Sequence, residues 1–126
     1  PVATTPSGWD WQPAFQAAAD ANVQVELVDG ETYTLLSGVV YRDSKATFAS
    51  APRLPFCNGQ AFLDITALGN SGSGFNTALQ ADDASQPAYE AALTVYGYSG
   101  AVVIKQIEGI YFNGNNNTAA VKLIGC

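Results

Sequence analysis

Most of the side chains in this sequence that could catalyse a reaction are carboxylates. The chain has 126 residues, with 11 Asp and Glu, five Lys and Arg, and no His. Hydrolysis of a glycosidic bond needs two carboxyl groups at a defined separation, one protonated and one ionised. Glu108 lies between Ile107 and Gly109, where a strand meets a turn and its side chain can project from a lateral face. Glu108 is therefore the predicted catalytic candidate.

Structural roles account for most of the other acids. Asp10 precedes an Ala-rich segment and can cap a helix by accepting from the amides two and three residues further on. Asp29 occupies a turn, and Asp82 and Asp83 lie in a polar loop, where adjacency alone does not aim two carboxylates at one bond. A solvated strand end is the corresponding structural explanation for Glu108.

The absence of His excludes a His-based triad, a His metal ligand and an imidazole pH switch. Two cysteines alone cannot form a structural zinc site, and the sequence predicts neither a metal site nor a cofactor. Cys57 and Cys126 could pair as a disulfide in an oxidising compartment. The alternative is that both are small buried apolar groups.

The net charge of −6 and the pI of about 4.1 limit the classes of partner. The basic residues are scattered along the chain: Arg42, Lys45, Arg53, Lys105 and Lys122. Phosphate contacts need clustered Lys and Arg, so we expect no nucleic acid and no anionic lipid as partner. No apolar run approaches the ~18 residues of a membrane-spanning helix. Partners should be neutral, cationic or polyhydroxylic.

The composition is typical of an extracellular or virion-surface protein, because only 13% of residues are charged and Gly, Asn, Ser, Thr and Ala are abundant. The chain begins at Pro1, contains no Met, and stops at Cys126 directly after an apolar run. We therefore expect it to be a piece of a longer protein.

Aromatic and Asn side chains are the candidates for carbohydrate binding, since a pyranose ring has an apolar face and many hydroxyls. Tyr96 and Tyr98 flank a Gly turn, and Asn115 and Asn116 begin a run of three Asn. Packing between strands is the structural alternative for the tyrosines, and a tight turn suffices to explain the asparagines.

The elements that position these residues begin with one helix. Residues 1–8 contain two Pro and predict an extended lead-in. Residues 9–21 predict a short amphipathic helix, with Pro tolerated in its first turn and Trp11, Phe15, Ala18 and Ala19 on one face. Such a short helix needs a surface to lie on.

The remainder, residues 23–126, predicts short strands separated by Gly and Asn turns. Residues 23–29 alternate with period two, and residues 31–41 predict two strands around a Ser-Gly turn. Residues 50–60 predict an irregular loop, and further strands are predicted at 61–68, 75–81, 89–98 and within 102–126. The last stretch is built from the runs VVI, GIYF and AAVKLI. VVI and AAVKLI alternate poorly, which favours burial on both faces or the interior of a solenoid.

Two stretches of the chain resemble pectin-lyase-like right-handed β-helices, and they are most similar to bacteriophage tailspike and polysaccharide-depolymerase chains. The first is the helix followed by V-x-V-x-L-v-D-G-x-x-Y-x-L-x-S-G-V-V. The second is I-x-G-I-Y-F-N-G-N-N-N-T-A-A-V-K-L-I-G-C, which resembles an internal coil. The matching residues in the first stretch are Asp10, Phe15, Ala18, Val25, Leu27, Gly30, Tyr33, Leu35, Gly38 and Val39.

The resemblance implies an all-β right-handed parallel β-helix whose first coils are capped by the N-terminal helix. It also implies a homotrimeric receptor-binding protein that recognises, and as a depolymerase cleaves, bacterial surface polysaccharide, with the catalytic groove outside residues 1–126. The alternative fold is an antiparallel β-sandwich or barrel. The alternative function is a secreted, non-enzymatic structural or adhesive subunit that self-assembles.

Overall fold

The computed structural model describes residues 9–41, 53–68, 91–96, 107–114 and 119–124, with residues 96 and 124 described by their backbone. Within these ranges the chain forms one helix and six strands. They are α1 (Gln12–Ala21), β1 (Thr32–Thr34), β2 (Val39–Tyr41), β3 (Phe56–Asp64), β4 (Ala91–Tyr96), β5 (Glu108–Asn113) and β6 (Ala119–Ile124). The described structure is predominantly β, as the sequence predicts.

The six strands form two three-stranded sheets, and successive strands alternate between them. Sheet A has the order β1-β3-β5, and sheet B has the order β2-β4-β6. Every pairing between these strands is parallel. The antiparallel sandwich or barrel is therefore wrong for the described strands. Antiparallel strands can be joined by a tight hairpin, whereas here the chain leaves each sheet and returns one strand later.

The register shows how far apart in the sequence the first paired residues of sheet A lie. Glu26 forms an isolated parallel bridge with Phe56, and Thr32 pairs with Phe62, so both pairs are 30 residues apart. Residues 35–38 suffice to join β1 to β2, and residues 114–118 join β5 to β6, whereas residues 65–90 separate β3 from β4. The middle strand pair therefore carries an insertion where the other two pairs have a short connection.

Inward side chains from both sheets form the core. Strands β2, β3 and β4 bury theirs completely, since Val39, Leu63, Leu93 and Val95 each have 0% exposure, and Tyr33 of β1 has 6%. The inward residues of β5, by contrast, are half-buried, although Ile110 and Phe112 pack against the same core. The described core is therefore tightest at the helix end and more open at β5 and β6, which are the opposite edge strands of the two sheets.

Helix α1 covers β2, the edge strand of sheet B, with side-chain amides that bond to the strand backbone. The Gln16 side chain accepts a hydrogen bond from the Val40 amide at 2.9 Å and donates to the Val40 carbonyl at 2.7 Å. Gln12 donates to the Gly38 carbonyl at 2.9 Å. An uncovered edge strand is a template for pairing with another chain. These amides satisfy that edge, and Phe15 anchors the helix in the core.

The start of the helix differs from its predicted cap. Asp10 accepts from the Gln12 amide at 3.0 Å, as predicted, but its second donor is the Leu36 amide at 3.1 Å. The residue three positions after Asp10 is Pro13, which has no N–H to donate. Asp10 thus ties the helix start to the turn after β1. The helix ends as predicted, with Asn22 in the left-handed conformation at φ 52°.

Two strand predictions need correction. Residues 23–29 contribute a single bridge to β3 rather than a strand, and Val23 is exposed. The Pro and Asn-Gly content of residues 50–60 predicts a loop, yet β3 begins at Phe56 and runs through Asn58 and Gly59. The predicted strand at 75–81 and the run VVI at 102–104 lie outside the described residues.

Candidate functional site

The outward face of sheet A is the best-defined candidate surface among the described residues. Side chains alternate along each strand, so Tyr33, Leu63 and Phe112 point inward while their neighbours point outward. Phe62 and Tyr111, which pair in register, form an aromatic contact with ring centroids 5.7 Å apart and planes inclined by 56°. Tyr111 is 53% exposed, so its ring is available to a ligand.

A row of polar residues lies two positions after the aromatic pair along the strands. Thr34, Asp64 and Asn113 are aligned across β1, β3 and β5. The Asp64 carboxylate accepts from the Thr66 hydroxyl at 2.7 Å and from the Thr66 amide at 3.1 Å. Asn113 is exposed, and its side chain has no described hydrogen-bond partner. The row therefore offers a fixed carboxylate and a free amide beside the aromatic pair.

A second row, at the start of the strands, brings Glu26 and Glu108 to either side of Phe56. Glu26 bridges to Phe56, and Phe56 pairs with Glu108. Strands ~4.8 Å apart place the two glutamate Cα atoms roughly 10 Å from each other. Both glutamates are exposed. Glu108 therefore lies at the start of β5 with an exposed side chain, but Gly109 continues the strand where the sequence predicts a turn.

A bulge in β3 sets the position of Glu108. Phe56 pairs with Glu108 and Ala61 with Ile110, so residues 57–60 of β3 stand opposite Gly109 alone. Gly109 has φ 70°, and a Cβ there would overlap the Cys57 carbonyl oxygen. The left-handed conformation of Gly109 lies within β5.

This face is better suited to binding than to hydrolysis. A general acid and a nucleophile or base need environments that keep one carboxyl protonated and the other ionised. Glu26 and Glu108 are both exposed and occupy equivalent positions on either side of Phe56. An aromatic ring with amides and carboxylates beside it can instead contact the apolar face and hydroxyls of a sugar. A catalytic role for Glu108 stays a prediction.

The other predicted site residues fall where the structure describes little or nothing. Tyr98, Asn115, Asn116 and Cys126 lie outside the described residues, and Tyr96 is described by its backbone at the end of β4. Their predicted roles in carbohydrate binding stay predictions. Cys57 is buried, which agrees with the small-apolar interpretation. Its pairing with Cys126 stays a prediction.

Over the residues described, no group of three or more His, Cys, Asp or Glu is placed to hold a metal ion. The one helix found there is too short and too polar to cross a bilayer.

Sequence reasoning missed the pairing of Phe62 with Tyr111. Tyr111 belongs to the set of aromatics that could contact sugars, but nothing in the sequence joins it to a residue 49 positions earlier. The signal that could have found the pair is the alternation in 61–64 matched to that in 110–113, with Leu63 and Phe112 inward.

No protein-family model, curated protein or solved structure matches this chain.

Proposed function

We propose that this chain winds as the first coils of a right-handed parallel β-helix and recognises polysaccharide through the outward face of sheet A. The observation that carries the proposal is the exposed Tyr111 ring held against Phe62 on a regular parallel sheet. Carboxylates and amides stand beside that pair along the strands. Rigid strands hold such a constellation more precisely than loops do.

The winding is supported by the strand order and by the end cap. Alternation of successive parallel strands between two sheets is the path of a solenoid, in which each coil covers the next. Connections between parallel strands of one sheet are right-handed in the great majority of proteins. Helix α1, which covers the edge of β2 through Gln16, has the position of an N-terminal cap.

The tailspike-like motifs of the sequence extend the proposal to the parent protein. We infer a receptor-binding protein of the virion or cell exterior that forms homo-oligomers and depolymerises bacterial surface polysaccharide. The proposed catalytic residues lie outside the described residues, since Glu26 and Glu108, the acids on either side of Phe56, are both exposed. The acidic chain, with a net charge of −6, favours neutral or cationic sugars over acidic ones.

Binding to a panel of bacterial capsule and O-antigen oligosaccharides tests the proposal. We expect saturable binding of at least one neutral or amino-sugar oligosaccharide and none of polyuronate, because the acidic surface repels it. New reducing ends or unsaturated products during incubation would locate catalysis within this chain. Failure to bind any oligosaccharide of the panel would contradict polysaccharide recognition.

A second function is favoured by the far edge of the sheets. Strands β5 and β6 are edge strands, and Leu123 on β6 is 54% exposed. An exposed, apolar edge strand can pair with another chain, which suits a secreted, non-enzymatic adhesive subunit that assembles through its sheet ends. Light scattering over a range of protein concentrations separates the two functions. Concentration-dependent growth without any sugar binding would favour the adhesive subunit.

A further inference from the structure

A half-open pocket lies at the corner where the β3 bulge meets the turn after Glu26. Its volume is about 490 Å³, within the range of small-molecule sites. Its walls are mixed, with apolar side chains, an amide, two carboxylates and a glycine backbone: Glu26, Leu27, Val28, Asp29, Cys57, Asn58 and Gly59. The pocket is large enough for one sugar residue.

Both carboxylates in the pocket are held in place on one side. Glu26 Oε2 accepts from Asn58 Nδ2 at 2.9 Å, and Asp29 Oδ1 accepts from the Gln60 amide at 2.9 Å. Gly59 leaves room for the Asp29 carboxylate, because a Cβ at that position would overlap it. The turn and the bulge are joined a second time by the Gly30 amide, which donates to the Gln60 carbonyl at 2.8 Å.

The second oxygen of each carboxylate is available to a ligand. Within the described part of the chain, neither Glu26 nor Asp29 has an ion-pair partner, and no Lys or Arg lines the pocket. A carboxylate pair without a cation attracts an ammonium group, which it can also hydrogen-bond. Cys57 also lines the pocket, but the described residues include no group of three His, Cys, Asp or Glu that could hold a metal ion. An organic cation therefore suits the pocket better than a metal.

We propose that this corner pocket binds the ammonium group of an amino sugar, with Glu26 and Asp29 as its anion partners and Asn58 as a hydroxyl partner. The inference rests on the proposed polysaccharide recognition and names the sugar class. Gly59 and Phe62 are three residues apart on β3, about 10 Å at ~3.3 Å per residue. A short oligosaccharide can therefore fill the pocket and contact the Phe62–Tyr111 pair at once.

The test compares glucosamine and N-acetylglucosamine, each as monosaccharide and as tetrasaccharide, by calorimetric titration and amide chemical shifts at mildly acidic pH, where the sugar amines are protonated. We expect the free-amine tetrasaccharide to bind at least tenfold more tightly than the acetylated one at low salt, because acetylation removes the charge. The preference should shrink as salt screens the attraction. Glucosamine alone should shift the amide signals of Gly59 and Gln60.

Isosteric variants assign the preference to the pocket. Glu26→Gln and Asp29→Asn keep an oxygen that can accept from Asn58 or Gln60, so the fold should survive, which thermal unfolding checks. We expect each variant to reduce the amine preference and both together to abolish it. Asp20→Asn, on the exposed side of α1, removes the same charge away from the pocket and should leave the preference intact.

The outcomes separate this inference from the function on which it rests. Equal affinity for acetylated and free-amine sugars, or a preference that survives the double variant, would overturn the pocket assignment and leave sugar recognition standing. Shifts at Gly59 with glucosamine, without binding of any longer sugar, would support the pocket and contradict polysaccharide recognition.

Discussion

Gly30 and Gly109 both have positive φ, but a side chain would meet neighbouring atoms only at Gly109. Gly109 has φ 70° and packs under the Cys57 carbonyl, whereas Gly30 has φ 81° and no atom within 4 Å of the place where a Cβ would lie. Gly30→Ala should cost about 1 kcal/mol, the cost of a left-handed non-glycine residue. Gly109→Ala should cost more than about 2 kcal/mol, because the bulge must also move.

Urea unfolding of both variants measures the difference. Gly30→Ala serves as the control for the backbone conformation alone. Equal destabilisation by the two substitutions would contradict the close packing of Gly109 against the bulge that positions Glu108.

Tyr41 gives the chain a pH dependence at the alkaline end. Burial raises the pKa of the Tyr41 hydroxyl well above its ordinary value near 10. The unfolded chain therefore releases this proton at a lower pH than the folded chain does. The contribution of Tyr41 to stability is complete below about pH 10 and is lost as the pH rises above it.

Tyr41→Phe removes the titrating group and retains the ring. We expect the free energy of unfolding to fall less steeply above about pH 10 in this variant than in the wild type. Denaturant unfolding between neutral and strongly alkaline pH checks the expectation. Parallel pH profiles for the two proteins would show that Tyr41 titrates alike in the folded and unfolded chains.

At the scale of elements, Gln16 joins the helix to β2 by bonding both backbone groups of Val40. Gln16→Ala leaves the Val40 amide and carbonyl without their partner beneath the helix. An unsatisfied buried backbone group costs about 1–3 kcal/mol, so we expect a loss of that size. Gln24→Ala is the control, since Gln24 is exposed and makes a single longer bond, 3.4 Å to the Leu54 carbonyl.

Unfolding curves for the two Gln variants decide the point. A loss for Gln16→Ala no larger than that for Gln24→Ala would contradict the role of α1 as the cover of the β2 edge. Light scattering adds a second measurement, because an uncovered β2 edge should promote association.

Helices and strands that are bounded by typical turn residues could be predicted from the sequence. The helix, β1, β2 and β4 follow from local patterns, and so do the runs that become β5 and β6. The start of β3 could not be predicted, because Asn58-Gly59 is typical of a turn and here forms a bulge. Neither Asn58 nor Gly59 has the positive φ of an Asn-Gly turn, because the strand continues through them as a bulge.

Parallel pairing also escapes local patterns. Short strands with Gly and Asn turns fit a meander as well as a coil, and the two architectures differ in which strands pair. Partners are 30 residues apart for Thr32 with Phe62 but 49 apart for Phe62 with Tyr111, so no fixed spacing in the sequence marks the pairing. The candidate face depends on the same long-range register. The projection of the Glu108 side chain from a strand end could be predicted, but its alignment with Phe56 could not.

At the scale of the whole molecule, the two ends of the sheets differ. The first edge is covered by α1, and the opposite edge carries Tyr111 and Leu123 with similar exposures of 53% and 54%. The two residues lie on different sheets, Tyr111 on β5 of sheet A and Leu123 on β6 of sheet B. They therefore form a matched pair for separating sugar recognition from general apolar exposure.

The most direct measurement is calorimetric titration of the best-binding oligosaccharide into the wild type, Tyr111→Ala and Leu123→Ala. If the outward face of sheet A recognises sugar, Tyr111→Ala should weaken binding about tenfold or more, about 1.4 kcal/mol. Leu123→Ala should leave the affinity within about twofold of the wild type, a difference of about 0.4 kcal/mol. Equal affinity for all three proteins, or a loss confined to Leu123→Ala, would contradict sugar recognition by this face.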